Sequence, residues 1–486
     1  MKEENLLYEC PNCGGNLKFD IPSQKLKCDY CLTMKAPYEI TKDRDAEESN
    51  VFDATIFTCP QCGGEILSTD TSAAEFCSFC GASTILDSRI SKELRPAHII
   101  PFKQTKDACK SAFIAHIKRS PFAPDDLKDE KHIESFRGIY MPYWSYDISQ
   151  QGPVSFTAEK SYRRGNYLYT DRYTLTGDIN ARYHNLSYDA SSSFADNISE
   201  QIAPFDTRDQ IDFTPSFLSG FYADTADVDG SLYENDARAL ANTASYGGIK
   251  NVPAFSDLTF KSTSSLDETL RTKCPAPKRV MYPVWFMSYR KGDRIAYATV
   301  NGQSGKVAAD IPVDIKKYVI ASLIMAIPVF ILLNLFFTIR PRITLIYSIV
   351  LSAATFFIYL SEIVKIYHRD KKDDDRGYLY QKTFDSSAEL KTKAGKKGIP
   401  AINKLRQFEN AGSGLKLPGF AGSLAAMITA LFVFIWNPVS DIWYYGSTSL
   451  IFLGILFTVT GIIRQYNILT TRKLPQFERR GGNDNA

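Results

Sequence analysis

Cysteine pairs are the residues in this sequence whose types and spacing point most directly to chemistry. Cys10 and Cys13 form one Cys-x-x-Cys pair and Cys28 and Cys31 form a second, with fourteen residues between the pairs. The same arrangement, with the same separation, returns as Cys59, Cys62, Cys77 and Cys80. Two thiolates on a tight turn bind one metal ion together, and two such turns supply the four ligands of a structural zinc site. The sequence therefore predicts two zinc ions, each held by four cysteines.

Short strands must position each set of cysteines. Leu17–Phe19 and Lys25–Lys27 alternate on either side of Pro22-Ser23, which predicts a β-hairpin. Glycines that follow the first pair of each set permit the positive φ angles by which backbone amides approach the sulfurs. Neither unit has enough apolar residues for a core of its own, so we expect zinc binding and folding to be coupled. We predict zinc ribbons at residues 1–45 and 51–90.

Transcription-factor-like ribbons share this cysteine pattern, so nucleic-acid binding is the alternative to a structural or protein-binding role. A nucleic-acid reader needs Lys and Arg to neutralise phosphates. Between Cys59 and Ile90 the one basic residue, Arg89, is outnumbered by acidic residues, which are Glu65, Asp70, Glu75 and Asp87. A catalytic zinc keeps a position open for water, and four thiolates leave none. We interpret the ribbons as structural or protein-binding, and nucleic acid is not an expected partner.

Length, charge and cysteine distribution set the class of protein. A chain of 486 residues is expected to hold several domains. Its formal charge of +3 creates no global field that would attract nucleic acid. Eight of the ten cysteines belong to the ribbons, leaving Cys109 and Cys274, which indicates metal binding in a reducing compartment rather than a disulfide framework. No apolar segment precedes Cys10, so no cleavable signal peptide is expected.

Residues 91–315 are predicted to form a β-rich α+β region with a weak internal repeat. A Tyr-Met-Pro-Tyr-Trp run at Tyr140–Trp144 begins one half, and a Tyr-Pro-Val-Trp run at Tyr282–Trp285 begins the other. Asn301-Gly302 between β-branched runs indicates a hairpin. Further strands are expected at 154–157, 167–170 and 173–176, and helices at 105–119 and 235–244.

The sequence carries no pattern typical of an enzyme. It lacks a His-Glu-x-x-His motif, a Gly-x-Ser-x-Gly elbow, a Walker A loop and a Gly-x-Gly-x-x-Gly loop after a strand. Its histidines do not pair with carboxylates at a known metal spacing; they are His98, His116, His132, His184 and His368. Trp144 and Trp285 are able to stack on a ligand, but we interpret them as core aromatics. No catalytic or cofactor-binding residue is predicted, and the protein is not expected to be an enzyme.

Beyond residue 315 the composition changes to long uncharged stretches, which lie at 318–339, 343–361, 420–436 and 443–463. A helix of about twenty residues spans about 30 Å, the hydrocarbon thickness of a bilayer. These stretches predict four transmembrane helices in two hairpins, with a charged loop and a tail, divided as 316–364, 365–419, 420–464 and 465–486. The predicted fold class is multidomain: two small β zinc ribbons, a β-rich α+β cytosolic region and an all-α transmembrane region.

Basic residues near the helix ends predict the orientation. Arg340 and Arg342 are the basic residues of the two hairpin loops, whereas many more lie at the opposite helix ends, including Lys316, Lys317 and Lys365. That opposite side, which carries the termini and the long loop, is therefore predicted to be cytoplasmic, in agreement with thiolate chemistry. The scarcity of ionisable residues within the spans favours an anchor over a solute transporter.

Several runs together resemble a known family. The two ribbons, Tyr140–Trp144, Phe217–Tyr222 and Tyr282–Lys306 look like parts of bacterial TFIIB-type zinc-ribbon membrane proteins, found mainly in Gram-positive species. Relatives of this kind are sometimes labelled as relatives of a replication-restart helicase, and the resemblance covers roughly residues 10–340. It implies a zinc-ligand role for the eight ribbon cysteines and a membrane-scaffold role beside flotillin-like or phage-shock-like proteins. The helicase label lacks support because the sequence has no nucleotide-binding loop.

We therefore expect a multi-pass protein of the inner membrane whose cytoplasmic part scaffolds or recruits other proteins. Its expected partners are the lipid bilayer and other membrane-associated proteins. Two alternatives remain open: membrane-tethered nucleic-acid binding through the ribbons, and transport of a small solute under the control of the cytosolic region.

Overall fold

A computed structural model describes most of the chain. The described residues are 8–41, 51–68, 77–82, 87–129, 133–194, 196–260, 270–292, 294–336, 340–370 and 418–475. Most of the predicted charged loop at 365–419 and the end of the predicted tail at 465–486 lie outside these residues.

The first four-cysteine unit forms a small sheet of its own. Its elements are β1 Leu17–Asp20, β2 Lys25–Cys28, β3 Met34–Lys35 and helix α1 Pro37–Thr41. β1 and β2 pair antiparallel, so the predicted hairpin is confirmed. Leu17 and Phe19 are buried and Lys18 between them is exposed, as the two-residue period of a strand requires. The buried face of β1 packs on the rest of the protein, where the Phe19 and Phe217 ring centroids are 5.4 Å apart.

The remaining described strands belong to one large sheet. They are β4 Val51–Thr58, β5 Glu65–Ser68, β6 Asp87–Leu94, β7 His98–Ile99, β8 Arg137–Arg164, β9 Tyr167–Asp189, β10 Ile211–Asp212, β11 Tyr222–Ala223, β12 Thr259–Phe260, β13 Arg271–Lys273, β14 Lys278–Lys291, β15 Arg294–Asn301, β16 Val307–Ala309 and β17 Arg472–Lys473. The main path runs β10-β7-β14-β8-β11-β5-β4-β6. The strands of the second four-cysteine unit, β4, β5 and β6, therefore continue the sheet of the central region.

The two Pro-containing repeats lie side by side at the centre of this sheet. β8 and β14 pair antiparallel, with Tyr140 opposite Pro283 and Pro142 opposite Met281. The Trp144 indole donates a hydrogen bond to the Val228 carbonyl at 2.9 Å. Trp285 does the same to the Gln104 carbonyl at 2.8 Å. Both indoles are at least nine-tenths buried, which confirms the interpretation of both tryptophans as core aromatics.

β8 and β9 form a long antiparallel arm. The predicted short strands at 154–157, 167–170 and 173–176 are parts of these two strands, which have 28 and 23 residues. Helix α4, Glu234–Lys250, packs under the arm, where Tyr246 contacts Phe156 with ring centroids 6.1 Å apart. The prediction was too short because this tertiary contact buries one face of the arm beyond the local apolar pattern. At the end of the arm Tyr167 and Leu168 are each 72% exposed.

Three helices flank the sheet, namely α2 Lys106–Lys118, α3 Asp196–Ile202 and α4 Glu234–Lys250. α2 agrees with the predicted helix at 105–119, and the Thr105 hydroxyl accepts a hydrogen bond from the Ala108 amide as its N-cap. α4 extends beyond the predicted end at residue 244 and passes through Gly247 and Gly248. The hairpin predicted at Asn301-Gly302 is confirmed by the pairing of β15 with β16.

Long apolar helices make up the rest of the described chain, namely α5 Ile315–Phe336, α6 Pro341–Asp370, α7 Pro418–Trp436 and α8 Asp441–Thr470. Within the described residues, two segments are long and apolar enough to cross a membrane, Pro341–Ile366 and Asp441–Thr470, and Leu424–Trp436 is a shorter apolar helix. In the apolar 18-residue window of each long segment, only 22% and 33% of the residues are buried, whereas core helices of soluble proteins are mostly buried.

The helix ends that meet the sheet are firmly joined to it. The Asn467 side chain of α8 exchanges two hydrogen bonds with the backbone of Val313, just before α5, at 2.7 and 2.8 Å. The Arg294 guanidinium of β15 donates to the carbonyls of Ile468 and Thr471, each at 2.7 Å. β17, which follows α8, pairs with β15. These contacts place the start of α5 and the end of α8 at the same side of the helical region.

Candidate metal centres

The first candidate metal centre brings together the four cysteines that the sequence predicts. The sulfur atoms of Cys10, Cys13, Cys28 and Cys31 all lie within 4.8 Å of one another. The Cys10–Cys31 and Cys13–Cys28 Sγ pairs are each 3.5 Å apart. Four sulfurs in a tetrahedron around zinc at about 2.3 Å lie about 3.8 Å from each other. The spacing fits one metal ion, and the four-thiolate donor set is that of structural zinc.

The second candidate centre has the same arrangement. Its sulfurs belong to Cys59, Cys62, Cys77 and Cys80, and they also lie within 4.8 Å of one another. The Cys59–Cys80 and Cys62–Cys77 Sγ distances are both 3.7 Å. All four thiols are free rather than joined as disulfides. This group can likewise hold one metal ion with no coordination position left for water.

Every Cys-x-x-Cys pair folds into the same turn. In each, the amide four residues after the first cysteine donates to that cysteine's carbonyl, as in Gly63 to Cys59 at 2.8 Å. The residue at this position has a positive φ, which glycine adopts without strain. Gly14, Gly63 and Gly81 occupy it in three turns, with φ of 72°, 76° and 70°. Leu32 occupies it in the fourth, with φ of 60°.

Hydrogen bonds prepare individual sulfurs for metal binding. The Thr33 hydroxyl and amide lower the pKa of the Cys31 thiol to about 5. Hydrogen bonding with Cys77 lowers the pKa of Cys59 to about 6, whereas the neighbouring sulfurs raise the pKa of Cys77 itself. Each group therefore contains a sulfur whose lowered pKa favours the thiolate, which is the form that ligates metals. Binding of a metal cation would release the protons from the remaining thiols of the group.

The two centres differ in their exposure. Cys13 of the first centre is exposed, whereas the four cysteines of the second are each at least 98% buried. The turn that carries Cys77 and Cys80 packs against the large sheet. Phe79 contacts Phe286 of β14 with ring centroids 6.1 Å apart, and the Tyr297 hydroxyl of β15 donates to the Phe79 carbonyl at 2.9 Å. A metal ion bound at the second centre would therefore stabilise the body of the protein from within.

Residues 217–222 hold the first centre in place, a role that local sequence reasoning did not assign. The Ser219 carbonyl accepts a hydrogen bond from the Phe19 amide at 3.0 Å, and the Ser219 hydroxyl donates one to the Leu17 carbonyl. Phe217 and Phe221 pack on Phe19 at 5.4 and 6.4 Å. The sequence feature that points to this role is the run of aromatic and small residues from Phe217 to Tyr222, whose pattern fits neither an isolated strand nor an isolated helix.

The remaining cysteines and the described histidines form no further group with the geometry of a metal site within the part of the chain that the structure describes. Cys109 lies on the buried face of α2, and burial raises the pKa of its thiol. Among the histidines, His98 and His184 each lie 3.3 Å from one carboxylate, of Asp212 and Asp147 respectively. These single pairs offer too few ligands for a metal ion.

The chain is similar to a curated protein of Bacillus subtilis (strain 168) that bears the name Uncharacterized protein YdjG. The two are 28% identical over 315 residues, which covers 63% of this chain and 90% of the relative. No family model matches the chain. No solved structure matches it either. The name of the relative states no activity.

Proposed function

We propose that this protein is a membrane-anchored zinc-ribbon protein that docks other proteins at the cytoplasmic face of the inner membrane. The observation that carries the proposal is the surface of the first ribbon. Tyr30 and Leu32, in the connection from β2 into β3, are 80% and 64% exposed, and Met34, at the start of β3, is 46% exposed. The Tyr30 ring lies over Gly15, beside the Cys28 sulfur. Large apolar side chains held outward on a small metal-stabilised sheet suit a protein interface.

The ribbon charges favour a protein partner over nucleic acid. Residues 8–41 contain four lysines, at 18, 25, 27 and 35, and four acidic residues, at 9, 20, 29 and 39, so their net charge is zero. Phosphate neutralisation requires a surplus of basic groups. The second ribbon is enclosed by the sheet at its metal centre, which leaves the first ribbon as the accessible one. We also propose that the chain is a TFIIB-type zinc-ribbon membrane protein, with flotillin-like or phage-shock-like proteins as candidate partners.

We propose that all four apolar helices span the membrane as two hairpins. The turns of the two hairpins lie close together. Arg342 follows the turn between α5 and α6, Phe434 precedes the turn between α7 and α8, and the Arg342 guanidinium is 4.9 Å from the Phe434 ring. Leu345, Val433 and Tyr444 share one buried cluster at that end. The sheet is joined to the opposite end through Val313 and Asn467. This arrangement supports a topology with both hairpin turns on one side and the ribbons on the other.

An anchoring role suits the polar residues of the helices better than transport does. Glu362 forms an ion pair with Lys365 at 2.6 Å, near the end of the apolar segment Pro341–Ile366. The buried polar residues of α6 and α8 are neutral; they are Ser348, Ser352, Ser447, Thr448 and Thr458. Ion or proton pathways commonly use ionisable side chains within the spans. The positive-inside rule assigns the ribbon side to the cytoplasm, where thiolates remain reduced.

The test is affinity purification of the full chain in mild detergent, with quantitative mass spectrometry. Replacing Tyr30 and Met34 with serine is expected to abolish recovery of a specific protein partner. The matched control replaces Tyr162, an exposed tyrosine of the arm, with serine and keeps the partner. All variants should retain about two zinc ions per chain. Co-purified nucleic acid without a protein partner would contradict the proposal, and so would partner recovery unaffected by the ribbon substitutions.

A further inference from the structure

A cavity of about 260 Å³ opens where the first ribbon meets the large sheet. Three cationic side chains line it: Lys18 of β1, Lys106 at the start of α2 and Arg137 at the start of β8. None of the described residues that line the cavity is acidic. The cavity therefore collects positive charge from three elements that are far apart in the sequence.

Nearby carboxylates offset only part of this charge. Lys18 pairs with Asp29 at 3.1 Å. Glu134 lies 3.4 Å from Lys106 and also pairs with Lys110, which has Asp107 as a second carboxylate at 3.4 Å. Arg137 has no carboxylate within 4.0 Å among the described residues. Burial lowers the pKa of Lys106, and the nearby positive charge of Arg137 lowers it further, as expected for cations that lie close together.

Aromatic side chains also line the cavity. Phe136, Phe221 and Trp285 line it and are each more than nine-tenths buried. The Trp285 indole is fixed by its hydrogen bond to the Gln104 carbonyl at 2.8 Å. Gly138 also lines the cavity, where a Cβ would lie 2.5 Å from the Phe221 ring. A flat apolar group has a preformed surface here, next to the cations.

The cavity lies away from the helix ends that meet the bilayer. Lys106 begins α2, and the 13 residues of this helix extend over about 20 Å. Just beyond its far end, the Phe122 ring contacts Tyr318 of α5 at 5.2 Å. A ligand would therefore reach the cavity from solution rather than from the headgroup layer.

We propose that this cavity binds a small soluble phosphate monoester that carries a flat apolar group. A phosphate monoester has a charge of about −1.5 to −2 at neutral pH, which suits a cavity whose lining holds three cations and no acidic residue. The Arg137 guanidinium supplies paired donors for phosphate oxygens, and the two lysines add point charges. The aromatic side chains contact the apolar group. This binding role is independent of the protein docking proposed for the ribbon.

The experiment uses the full chain in neutral detergent and phenyl phosphate as the probe. Trp285 lines the cavity, so its fluorescence is expected to change saturably on binding, and Trp285→Phe should remove the change. Calorimetry gives the affinity independently of the fluorophore. Inorganic phosphate and benzoate are expected to bind at least about tenfold more weakly, and phenol should not bind. Arg137→Gln should weaken phenyl phosphate binding at least about tenfold.

The matched control is Arg164→Gln, which removes an exposed arginine at the end of the arm and should leave the affinity unchanged. Micelles that contain phosphatidylglycerol distinguish a lipid headgroup from a soluble ligand. The proposal is overturned by calorimetry that detects no binding of phenyl phosphate, by an affinity that Arg137→Gln leaves unchanged, or by binding of the anionic micelles alone. Unaltered thermal unfolding of the Arg137 variant shows that a lost affinity reflects the site rather than the fold.

Discussion

Replacing Gly138 with alanine is expected to destabilise the sheet region by about 1–3 kcal/mol, the usual cost of overpacking a core. A Cβ at this position would lie 2.5 and 2.9 Å from two atoms of the Phe221 ring and 3.2 Å from the Phe102 ring. The two rings stack at 4.4 Å. Phe102 also packs on Tyr140 and Trp285, at 4.9 and 5.1 Å. Phe102 is fully buried, so its ring cannot retreat without disturbing the centre of the core.

Gly177→Ala provides a matched control of opposite sign. Gly177 lies in β9, and a Cβ there would meet no atom within 4 Å. Because alanine loses less backbone entropy on folding, this substitution is expected to stabilise by about 0.5–1 kcal/mol. With about 2–4 °C per kcal/mol for a region of this size, Tm should fall by about 2–12 °C for Gly138→Ala and rise by about 1–4 °C for the control.

The assay is thermal unfolding of the full chain in detergent, followed by near-ultraviolet circular dichroism of the aromatic core. Zinc content is measured in parallel, so that a loss of metal is not mistaken for a packing effect. A Gly138→Ala protein with a Tm equal to or above that of the unaltered chain would refute the close packing around Phe221. Equal Tm shifts for the two variants would show that the backbone entropy of glycine, rather than contact with the aromatic rings, determines the effect of each substitution on stability.

Three further predictions concern the metal turns and the joint to the helices. Leu32→Gly should relieve about 1 kcal/mol of left-handed strain and tighten metal binding at the first centre about fivefold in chelator competition. A chelator should remove the metal beside exposed Cys13 before that beside buried Cys62, as followed by native mass spectrometry. Arg294→Gln should weaken the contacts to Ile468 and Thr471 by about 2 kcal/mol and raise amide exchange in β17 about thirtyfold.

Each of these predictions has a contradicting result. Weaker metal binding by Leu32→Gly would mean that the leucine side chain contributes more than its backbone strain costs. Simultaneous release of both metals would show that burial of the second centre does not slow its exchange. Unchanged protection of β17 in the Arg294 variant would assign the joint to Asn467 and its hydrogen bonds to Val313.

Local patterns predicted the metal groups and several elements well. Cysteines two residues apart are brought together by a single turn, so the chemistry of each pair is written in adjacent residues. The hairpin at Asn301-Gly302 and the helix α2 follow from equally local signals, a positive-φ turn and an N-cap. The length of the β8–β9 arm escaped prediction because α4, from a distant part of the chain, covers one of its faces.

The sequence by itself determined which sulfurs form each metal group, because the two halves of each ribbon are joined by a short connection. Only the tertiary structure decided how the ribbons are used. The first is held by Ser219, two hundred residues further along the chain, and keeps Tyr30 exposed. The second joins the large sheet through the pairing of Tyr222 with Ser68, and its metal group is enclosed. The two cysteine patterns are alike, and the distant contacts of each ribbon decide which group is exposed and which is enclosed.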